Sequence, residues 1–413
     1  MRVTSAAYET PYRPRPVALA NRLARRFGLG AAALSVDALV AAARAATGLG
    51  DFGDERFRAP LGKLVGAIER EAELTPLGHL ITRRRIVGLL ANLLRAQALY
   101  AARPEILREE IRAPIFIVGL QRTGTTMLHR LLARDPGLRS LASWEALSPA
   151  PLRRRPWHRR DPRIRTAVLA ERGLRYLAPD FFAIHPVEAE GVEEEVILLD
   201  HSFLSTVAEA TLHVPTFSTW LEEQDQTPAY ATLKRLLQLL QWQDRRERWI
   251  LKTPHHLEWL DTLLAIFPDA RIIQTHRDPV KTLASFCSMI AHGRGVFSDR
   301  VDPREIGAHW ARKTQRMVAR SMAARERAGA ASFLDVSYYD LMEDPLTEVE
   351  RIYRFIGRPF TAGVREAIAV ARGENPQHKH GRHAYRLEDF GLTSAGIEPG
   401  FAAYRGRFGI RHE

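Results

Sequence analysis

The sequence has very little cysteine and no long apolar run. Cys287 is the only cysteine among 413 residues, which excludes an intramolecular disulfide and a thiolate metal site. No uninterrupted apolar stretch approaches the length that spans a bilayer, and residues 1–19 contain Arg13, Arg15 and three prolines where a signal peptide would be apolar. The sequence therefore predicts a cytoplasmic protein, with peripheral contact at the inner face of a membrane left open.

Acidic residues are outnumbered, with 48 Asp and Glu against 60 Lys and Arg and a net charge of +12. Such a balance favours anionic partners. The basic excess is dispersed, and the one dense cluster, RRRPWHRR at 153–160, contains proline. A solvated surface or a small acidic ligand explains the charge at least as well as nucleic acid does, so nucleic acid is not expected as a partner. The oligomeric state is not indicated.

The pattern of apolar residues divides the chain into regions. Residues 1–110 carry helical patterns such as VDALVAAARAA and predict a helical N-terminal region. Residues 111–392 predict an α/β domain whose parallel β-sheet is flanked by helices, because short β-type segments alternate there with helical ones. Within it, residues 144–230 break the alternation and predict a cap insertion, and 393–413 form a C-terminal tail. The predicted strands are 115–120, 249–252, 270–276 and 332–336.

The stretch IFIVGLQRTGTTMLHRLL at 115–132 predicts a P-loop-like strand, loop and helix. Four apolar residues, 115–118, suit a buried strand, and the apolar spacing from Met127 suits a helix with one buried side. The loop aims the N–H groups of Gly124, Thr125 and Thr126 at a ligand above the sheet, where a helix N-terminus favours an anion. An ordinary turn without a ligand is the alternative for this stretch alone.

One position separates this loop from those that bind nucleoside triphosphates. In GxxxxGK[ST] a lysine follows the second glycine and reaches the β and γ phosphates. Thr125 occupies that position here, and the cation is Arg122, inside the loop. The site is poorly built for a triphosphate, but it suits a 5′-phosphate that carries another anionic group.

Polar residues also follow two other predicted strands. WILKTPHHLEWL at 249–260 places Lys252 at a strand end, and ARIIQTHRDPVKTLASF at 270–286 places Arg277 at another. Ligands of open α/β sheets sit beyond the carboxyl ends of the strands. One such residue alone is more often structural, but several that converge predict a ligand site.

Together these segments resemble the sulfotransferases that use 3′-phosphoadenosine 5′-phosphosulfate (PAPS). The match consists of QRTGTT at 121–126, the pair Arg277 and Ser285 eight residues apart, and SYYDLMEDP at 337–345. The resemblance covers about 114–392, and QHKHGRHAYRLEDFGL at 377–392 is similar to the bacterial branch. It implies PAPS as donor, adenosine 3′,5′-bisphosphate as product, and no metal.

The resemblance also implies roles for individual residues. Arg277 and Ser285 would hold the 3′-phosphate, and Tyr338 would lie near the adenine, with Tyr339 as its competitor. Arg122 and Lys252 would neutralise charge during in-line transfer. The residues that would hold the 5′-phosphosulfate are Gln121, Arg122, Thr123, Gly124, Thr125 and Thr126, and further nucleotide contacts are assigned to Lys379 and Arg382.

The acceptor hydroxyl needs a proton acceptor, and the sequence offers two solutions. Some members of the family use a histidine shortly after the lysine, and here His255 and His256 follow Lys252. Others use a glutamate downstream of the loop, and Glu145 lies 23 residues after Arg122. The spacing favours Glu145, because a desolvated carboxylate can accept a proton. Its alternative role is to cap a helix near Ser143.

The acceptor itself is indicated only by resemblance, which implies a lipophilic alcohol or a glycolipid. The amphipathic basic helices are compatible with contact at a membrane surface or with solvated faces. Two other classes of function stay open. A nucleotide-dependent kinase is favoured by the loop but opposed by Thr125 and by the pair Arg277 and Ser285. A non-enzymatic protein that binds anions or nucleic acid is favoured only by the net charge.

Overall fold

A five-stranded parallel sheet forms the centre of the computed structural model, which describes residues 8–28, 33–151, 161–374 and 385–413. The strands are hydrogen-bonded in the order β2-β3-β1-β4-β5, so β1 lies in the middle. The strands are β1 Ile115–Gly119, β2 Leu138–Ser140, β3 Arg248–Lys252, β4 Arg271–His276 and β5 Phe333–Ser337.

Helices occupy most of the remaining described chain. In chain order they are α1 Arg15–Arg26, α2 Val36–Thr47, α3 Arg58–Glu71, α4 Pro76–Ala102, α5 Thr125–Leu132, α6 Ser143–Leu147, α7 Pro162–Leu177, α8 Pro179–Ile184, α9 Val196–Leu199, α10 Val207–Thr211, α11 Pro215–Leu221, α12 Thr227–Gln243, α13 Leu260–Ile266, α14 Pro279–Phe297, α15 Pro303–Ala328, α16 Tyr338–Glu343, α17 Pro345–Ile356, α18 Ala362–Glu374, α19 Ser394–Ile397 and α20 Ala402–Phe408. Within the described ranges, no helix is both long enough and apolar enough to cross a membrane.

The central strand β1 is buried on both faces. Phe116 and Val118 join the large core that contains the N-terminal helices and α12. Ile115 and Ile117 point to the other face and join a smaller core with α5, α17 and α18. Burial of one such side chain contributes about 1.5–3 kcal/mol. The continuous apolar run of this strand is therefore the mark of a parallel sheet covered by helices on both sides, which confirms the predicted fold class.

The four predicted strands are present, and their ends agree with the prediction to within one residue. The edge strand β2 was not predicted. It has three residues, Leu138–Ser140, and pairs only with β3. A segment of that length is too short to show a period of two, so its pairing partner decides its conformation.

The chain between β2 and β3 contains α6–α12 and includes the predicted cap, residues 144–230. Backbone hydrogen bonds tie the acidic part of this segment to the chain that follows β2. The N–H groups of Ser143 and Trp144 donate to the carbonyls of Gly191 and Ala189, both at 3.0 Å. The glutamates at 193–195 are thereby held beside the carboxyl ends of the strands. The basic cluster at 153–160 lies outside the described residues, which resume at 161.

The predicted C-terminal tail, 393–413, contains α19 and α20. Phe401 and Tyr404 from this segment are buried in the large core. The Tyr404 hydroxyl lies 2.8 Å from Nδ1 of His276, at the end of β4. The last residues of the chain are consequently brought to the same edge of the sheet as Arg277.

Candidate functional site

The loop between β1 and α5 bends through two left-handed backbone positions. Arg122 has φ +69° and Gly124 has φ +87°. A Cβ on Gly124 would lie 3.1 Å from Cδ2 of Tyr338, so glycine lets the tyrosine ring rest against the loop. The Thr123 hydroxyl lies 2.6 Å from both the Leu120 carbonyl and the Thr275 hydroxyl. The side chain of Thr123 thus fixes the loop to the sheet, which leaves its backbone for any ligand.

The N-terminus of α5 is arranged as an anion site. Gly124 is the residue before the helix, and no side chain from the described part of the chain caps it. The first N–H groups of a helix need a partner, and an uncapped end favours an anion. Thr126 and Arg122 are exposed beside it, Gln121 is half-buried, and Thr125 is buried.

Lys252 connects this helix end to the cap. Its ammonium lies 3.3 Å from the Thr126 hydroxyl and forms an ion pair with Glu194. The backbone N–H of Lys252 donates to the Glu195 carboxylate at 2.7 Å. Burial by itself would raise the pKa of Glu194, but Lys252, His185 and a hydrogen bond from Thr253 together outweigh burial, and the pKa of Glu194 is lowered. The ionised Glu194 carboxylate therefore contacts Lys252, whose ammonium in turn contacts the first turn of α5.

Two more titratable cap residues surround this ion pair. Glu193 accepts a hydrogen bond from the Ser143 hydroxyl at 2.9 Å, and burial raises the pKa of Glu193. Burial lowers the pKa of His185 to about 4; the Glu194 charge opposes this shift and the Lys252 charge adds to it. His185 is a neutral imidazole near neutral pH. The cap thus places three groups that can accept a proton near Lys252, namely Glu193, Glu194 and His185, and their pKa values are shifted in different directions.

Glu145, the base favoured by sequence spacing, is held by other groups in this structure. Its two carboxylate oxygens accept from the Arg139 guanidinium at 2.5 and 3.0 Å, and one accepts from the Ala142 backbone N–H at 3.0 Å. The side chain is 5% exposed and lies in the first turn of α6. This geometry corresponds to the capping role that was the alternative for this residue.

The two histidines after Lys252 lie inside the large core. Both ring nitrogens of His256 are engaged, at 2.7 Å from the Tyr230 hydroxyl and at 2.8 Å from Glu195. His255 lies 3.2 Å from the Thr206 hydroxyl through Nδ1, and its Nε2 has no hydrogen-bond partner within the described part of the chain. Burial holds the pKa of His255 well below its usual range. Neither ring contacts Lys252 or Glu194 through a hydrogen bond in these ranges.

Arg277 marks a second anion site at the end of β4. Its guanidinium packs 4.0 Å above the ring of Tyr338 and donates to the Arg122 carbonyl at 3.1 Å. The Glu413 carboxylate binds the same guanidinium through two hydrogen bonds of 2.7 and 2.9 Å. A two-oxygen anion is therefore already seated on Arg277, which is the geometry that a phosphate would use. Burial alone would lower the pKa of Arg277, but Glu413 and the neighbouring tyrosines together outweigh it, and the pKa is raised.

The other predicted nucleotide contacts are divided between this edge and the undescribed chain. Ser285 is buried on α14, which begins two residues after Arg277. The Tyr339 hydroxyl lies 3.0 Å from the Glu413 carboxylate, while Tyr338 lies against the loop. Lys379 and Arg382 lie outside the described residues. Over the described ranges, no group of three or more His, Cys, Asp or Glu side chains is arranged to hold a metal.

The structure adds three residues that sequence reasoning did not select, namely His185, Glu193 and Glu194. The signal for the two glutamates was the acidic run EAEGVEEE at 188–195, which is unusual in a chain of net charge +12, whereas no pattern pointed to His185. The run alone could not show which carboxylate meets Lys252, because several glutamates share it. That choice depends on the backbone pairing of 189–193 with 141–144.

Comparisons with known proteins identify the family and the fold. The sequence profile of the Sulfotransferase family matches residues 114–362. Omega-hydroxy-beta-dihydromenaquinone-9 sulfotransferase Stf3 from Mycobacterium bovis is 28% identical over 255 residues, which are 59% of this chain and 62% of that protein. The match thus spans less than two thirds of that relative.

Two solved structures resemble nearly the whole chain. Sulfotransferase STF1 from Mycobacterium tuberculosis has a TM-score of 0.79 and 37% identity, and the match covers 90% of this chain and 99% of that one. Sulfotransferase STF9 from Mycobacterium avium has a TM-score of 0.83 and 29% identity, over 92% and 98% of the two chains. The likeness therefore includes the N-terminal helices as well as the α/β domain.

Proposed function

The chain belongs to the sulfotransferase family, and we propose that it transfers a sulfuryl group from PAPS to the hydroxyl of a lipophilic acceptor. The observation that carries the donor assignment is the pair of adjacent anion sites. One is the uncapped start of α5 beside Arg122, and the other is Arg277, which already binds a carboxylate. The Arg122 carbonyl joins the two sites through its 3.1 Å bond to Arg277. A nucleotide with anionic groups at both its 5′ and 3′ ends matches this pair.

Within this proposal, the 5′ end of the donor lies at the start of α5. The N–H groups of the first turn, the Thr126 hydroxyl and Arg122 bind its oxygens. Lys252, which lies 3.3 Å from that hydroxyl, neutralises charge on the leaving oxygen. Each charge-assisted bond of this kind contributes about 1.5–3 kcal/mol. Tyr338 lies between the two anion sites and offers a ring face to the base of the nucleotide.

Glu194 is the carboxylate that the geometry favours as proton acceptor. The hydroxyl oxygen of the acceptor attacks the sulfur, and its proton passes to the Glu194 carboxylate. The bond between the sulfur and the 5′-phosphate oxygen of the donor breaks, and its electron pair stays on that oxygen, so that adenosine 3′,5′-bisphosphate leaves. Glu194 suits this step because it is ionised and adjacent to Lys252, the cation at the transfer point. Glu145 is less suited, since Arg139 occupies both of its oxygens. The proton acceptor would thus come from the cap.

Support for a lipophilic acceptor comes from the relative rather than from the site. The name of Stf3 from Mycobacterium bovis states that it acts on an omega-hydroxylated dihydromenaquinone. The cap of this chain contains the aromatic pair Phe181 and Phe182, four and three positions before His185. We place the acceptor alcohol between these rings and Glu194.

Two measurements test the proposal. Calorimetry should show that adenosine 3′,5′-bisphosphate binds without magnesium and more tightly than ATP. Incubation with ³⁵S-labelled PAPS should then label a hydroxylated isoprenoid quinone but not the same quinone without its hydroxyl. Magnesium-dependent binding of ATP, with no affinity for the bisphosphate, would instead identify a kinase and overturn the proposal.

A further inference from the structure

Helix α1 is amphipathic, but its apolar side faces solvent. The one fully buried residue of the helix is polar: Asn21, whose side-chain oxygen accepts from the Leu77 backbone N–H at 3.0 Å. By contrast, Leu19 and Leu23 are 55% and 44% exposed, and Phe27, directly after the helix, is 67% exposed. These three residues are four positions apart and form one row. An ordinary surface helix turns such a row toward the core.

Exposed arginines lie along one side of this row. Arg15, Arg22 and Arg26 stand four positions before, three after and seven after Leu19, so they border it on the helix surface. In the described part of the chain these three make no ion pair. Arg25, farther round the helix, is different, because it pairs with Asp299 at 2.8 Å. The helix therefore presents an apolar row and an adjoining strip of uncompensated positive charge.

This combination selects one kind of partner. A helix with aromatic and aliphatic residues on one side and arginines beside them is the form that lies in the plane of a membrane interface. The apolar row can enter the boundary of the acyl chains, while arginines at its border reach lipid phosphates. A protein surface that covered the row would need acidic groups placed to match three arginines, whereas an anionic bilayer supplies them at any orientation.

We propose that α1 docks the protein on an anionic membrane surface, with Leu19, Leu23 and Phe27 inserted and Arg15, Arg22 and Arg26 at the headgroups. The inference does not depend on the donor or the acceptor of the proposed reaction. Docking is peripheral, because it uses one face of one helix. For a lipophilic acceptor it would place the enzyme where such molecules are dissolved.

The test is sedimentation of the full chain with vesicles. Wild type should bind phosphatidylcholine vesicles that contain phosphatidylglycerol, and bind pure phosphatidylcholine much less. The variant Leu19→Ser/Leu23→Ser/Phe27→Ser should lower the partition coefficient at least about tenfold, because apolar burial is lost. Arg22→Gln/Arg26→Gln should lower it about fivefold per charge, and only on the anionic vesicles.

A matched control replaces exposed apolar residues elsewhere. Leu107→Ser/Val370→Ser changes side chains that are 40% and 56% exposed, and it should bind vesicles as wild type does. Circular dichroism and the thermal midpoint should be unchanged in all variants, and the arginine variant keeps the test valid if the serine variant misfolds. Equal vesicle binding by wild type and both α1 variants would overturn the proposal. The proposal would also be overturned if wild type did not bind the vesicles but formed a dimer in analytical ultracentrifugation that the serine variant could not form.

Discussion

The two sides of Lys252 are built in different ways. On the side proposed to bind the nucleotide, called the nucleotide side below, the loop before α5, Arg277 and Tyr338 all follow strands of one parallel sheet. On the cap side, the glutamates at 193–195 follow no strand and reach Lys252 because the cap is hydrogen-bonded to the chain after β2. Strand ends are placed by the sheet itself, whereas cap residues are placed by how the insertion packs. Sites at strand ends can therefore be predicted from sequence patterns, whereas sites formed by the cap cannot.

The electrostatics of the two sides also differ. The nucleotide side offers cations and free N–H groups, which suit an anionic donor. The cap side offers carboxylates and the neutral imidazole of His185, whose pKa burial lowers to about 4. In the proposed reaction, anions would bind on one side and a proton would be accepted on the other. Lys252 touches both sides, through the Thr126 hydroxyl and through Glu194.

The largest expected effect separates the two glutamates proposed as base. Glu194→Gln should lower turnover about 10²–10⁴-fold, the usual contribution of a general base, while calorimetry shows that bisphosphate binding is retained. Glu188→Gln is the matched control from the same acidic run, because Glu188 is exposed and lies 3.8 Å from Arg130. It should keep its activity.

Glu145→Gln completes this comparison. It breaks a buried pair with Arg139 and should cost about 3 kcal/mol of stability, visible as a lower thermal midpoint. The turnover of the molecules that remain folded should change far less than in Glu194→Gln. If Glu145→Gln were inactive but fully folded, and Glu194→Gln active, the base predicted from sequence spacing would be correct and the assignment to the cap would fail.

The next effect tests the nucleotide side. Arg277→Ala should weaken binding of adenosine 3′,5′-bisphosphate roughly 10- to 100-fold, since a charge-assisted contact with the 3′-phosphate is lost. Binding of adenosine 5′-monophosphate, which lacks that phosphate, should be nearly unchanged. Equal losses for both ligands in calorimetry would mean that Arg277 supports the loop through the Arg122 carbonyl rather than binding the 3′ end.

A third test concerns one buried histidine, His129 on α5. Burial, and then Lys252, lower the pKa of His129 to about 3, so the unfolded chain binds this proton near pH 6.5 and the folded chain only near 3. Stability must therefore fall as the pH falls between these values, by about 1.4 kcal/mol per pH unit from this residue. Urea unfolding of His129→Gln should show a slope smaller by that amount. Identical slopes for variant and wild type would show that His129 is already protonated in the folded protein.

The smallest effect concerns Glu413, whose carboxylate binds Arg277 where the 3′-phosphate is proposed to bind. Glu413→Gln removes a competing anion and should tighten bisphosphate binding about two- to fivefold, in line with a partly exposed ion pair. Binding of adenosine 5′-monophosphate is the internal reference and should stay constant. Weaker bisphosphate binding in this variant would mean that Glu413 positions Arg277 rather than competing for it.

Sequence patterns predict the strands and the helix that carry the candidate site. The strand before Gly119, the helix after it, and the polar residues after β3 and β4 were placed from periodicity, and the four strands agree to within one residue. Tyr338 was preferred over Tyr339, and it is Tyr338 that lies against the loop, although its contact with a nucleotide base stays a prediction. The agreement of the strand positions has one cause, because a strand end and its neighbours are defined by local backbone structure.

The sequence did not show which charged residues pair with each other when they are far apart in the chain. Glu194 and Lys252 are 58 residues apart, and Glu413 and Arg277 are 136 apart. Arg139 binds Glu145 because β2 places that arginine beside α6. This strand has only three residues and is too short to be predicted from a pattern. The histidines after Lys252 turned into the core, where His256 bonds Tyr230 and Glu195.

The sequence by itself determined the class of fold, the loop that lacks a lysine, and the strand ends at which cations stand, since all of these follow from local periodicity and the direction of parallel strands. Only the tertiary structure decided which carboxylate faces Lys252, which anion rests on Arg277, and which side of α1 meets solvent. Those outcomes depend on burial and on charge pairing between distant segments. A side chain's neighbours are set by the packing of the whole chain, and no pattern within a short window contains them.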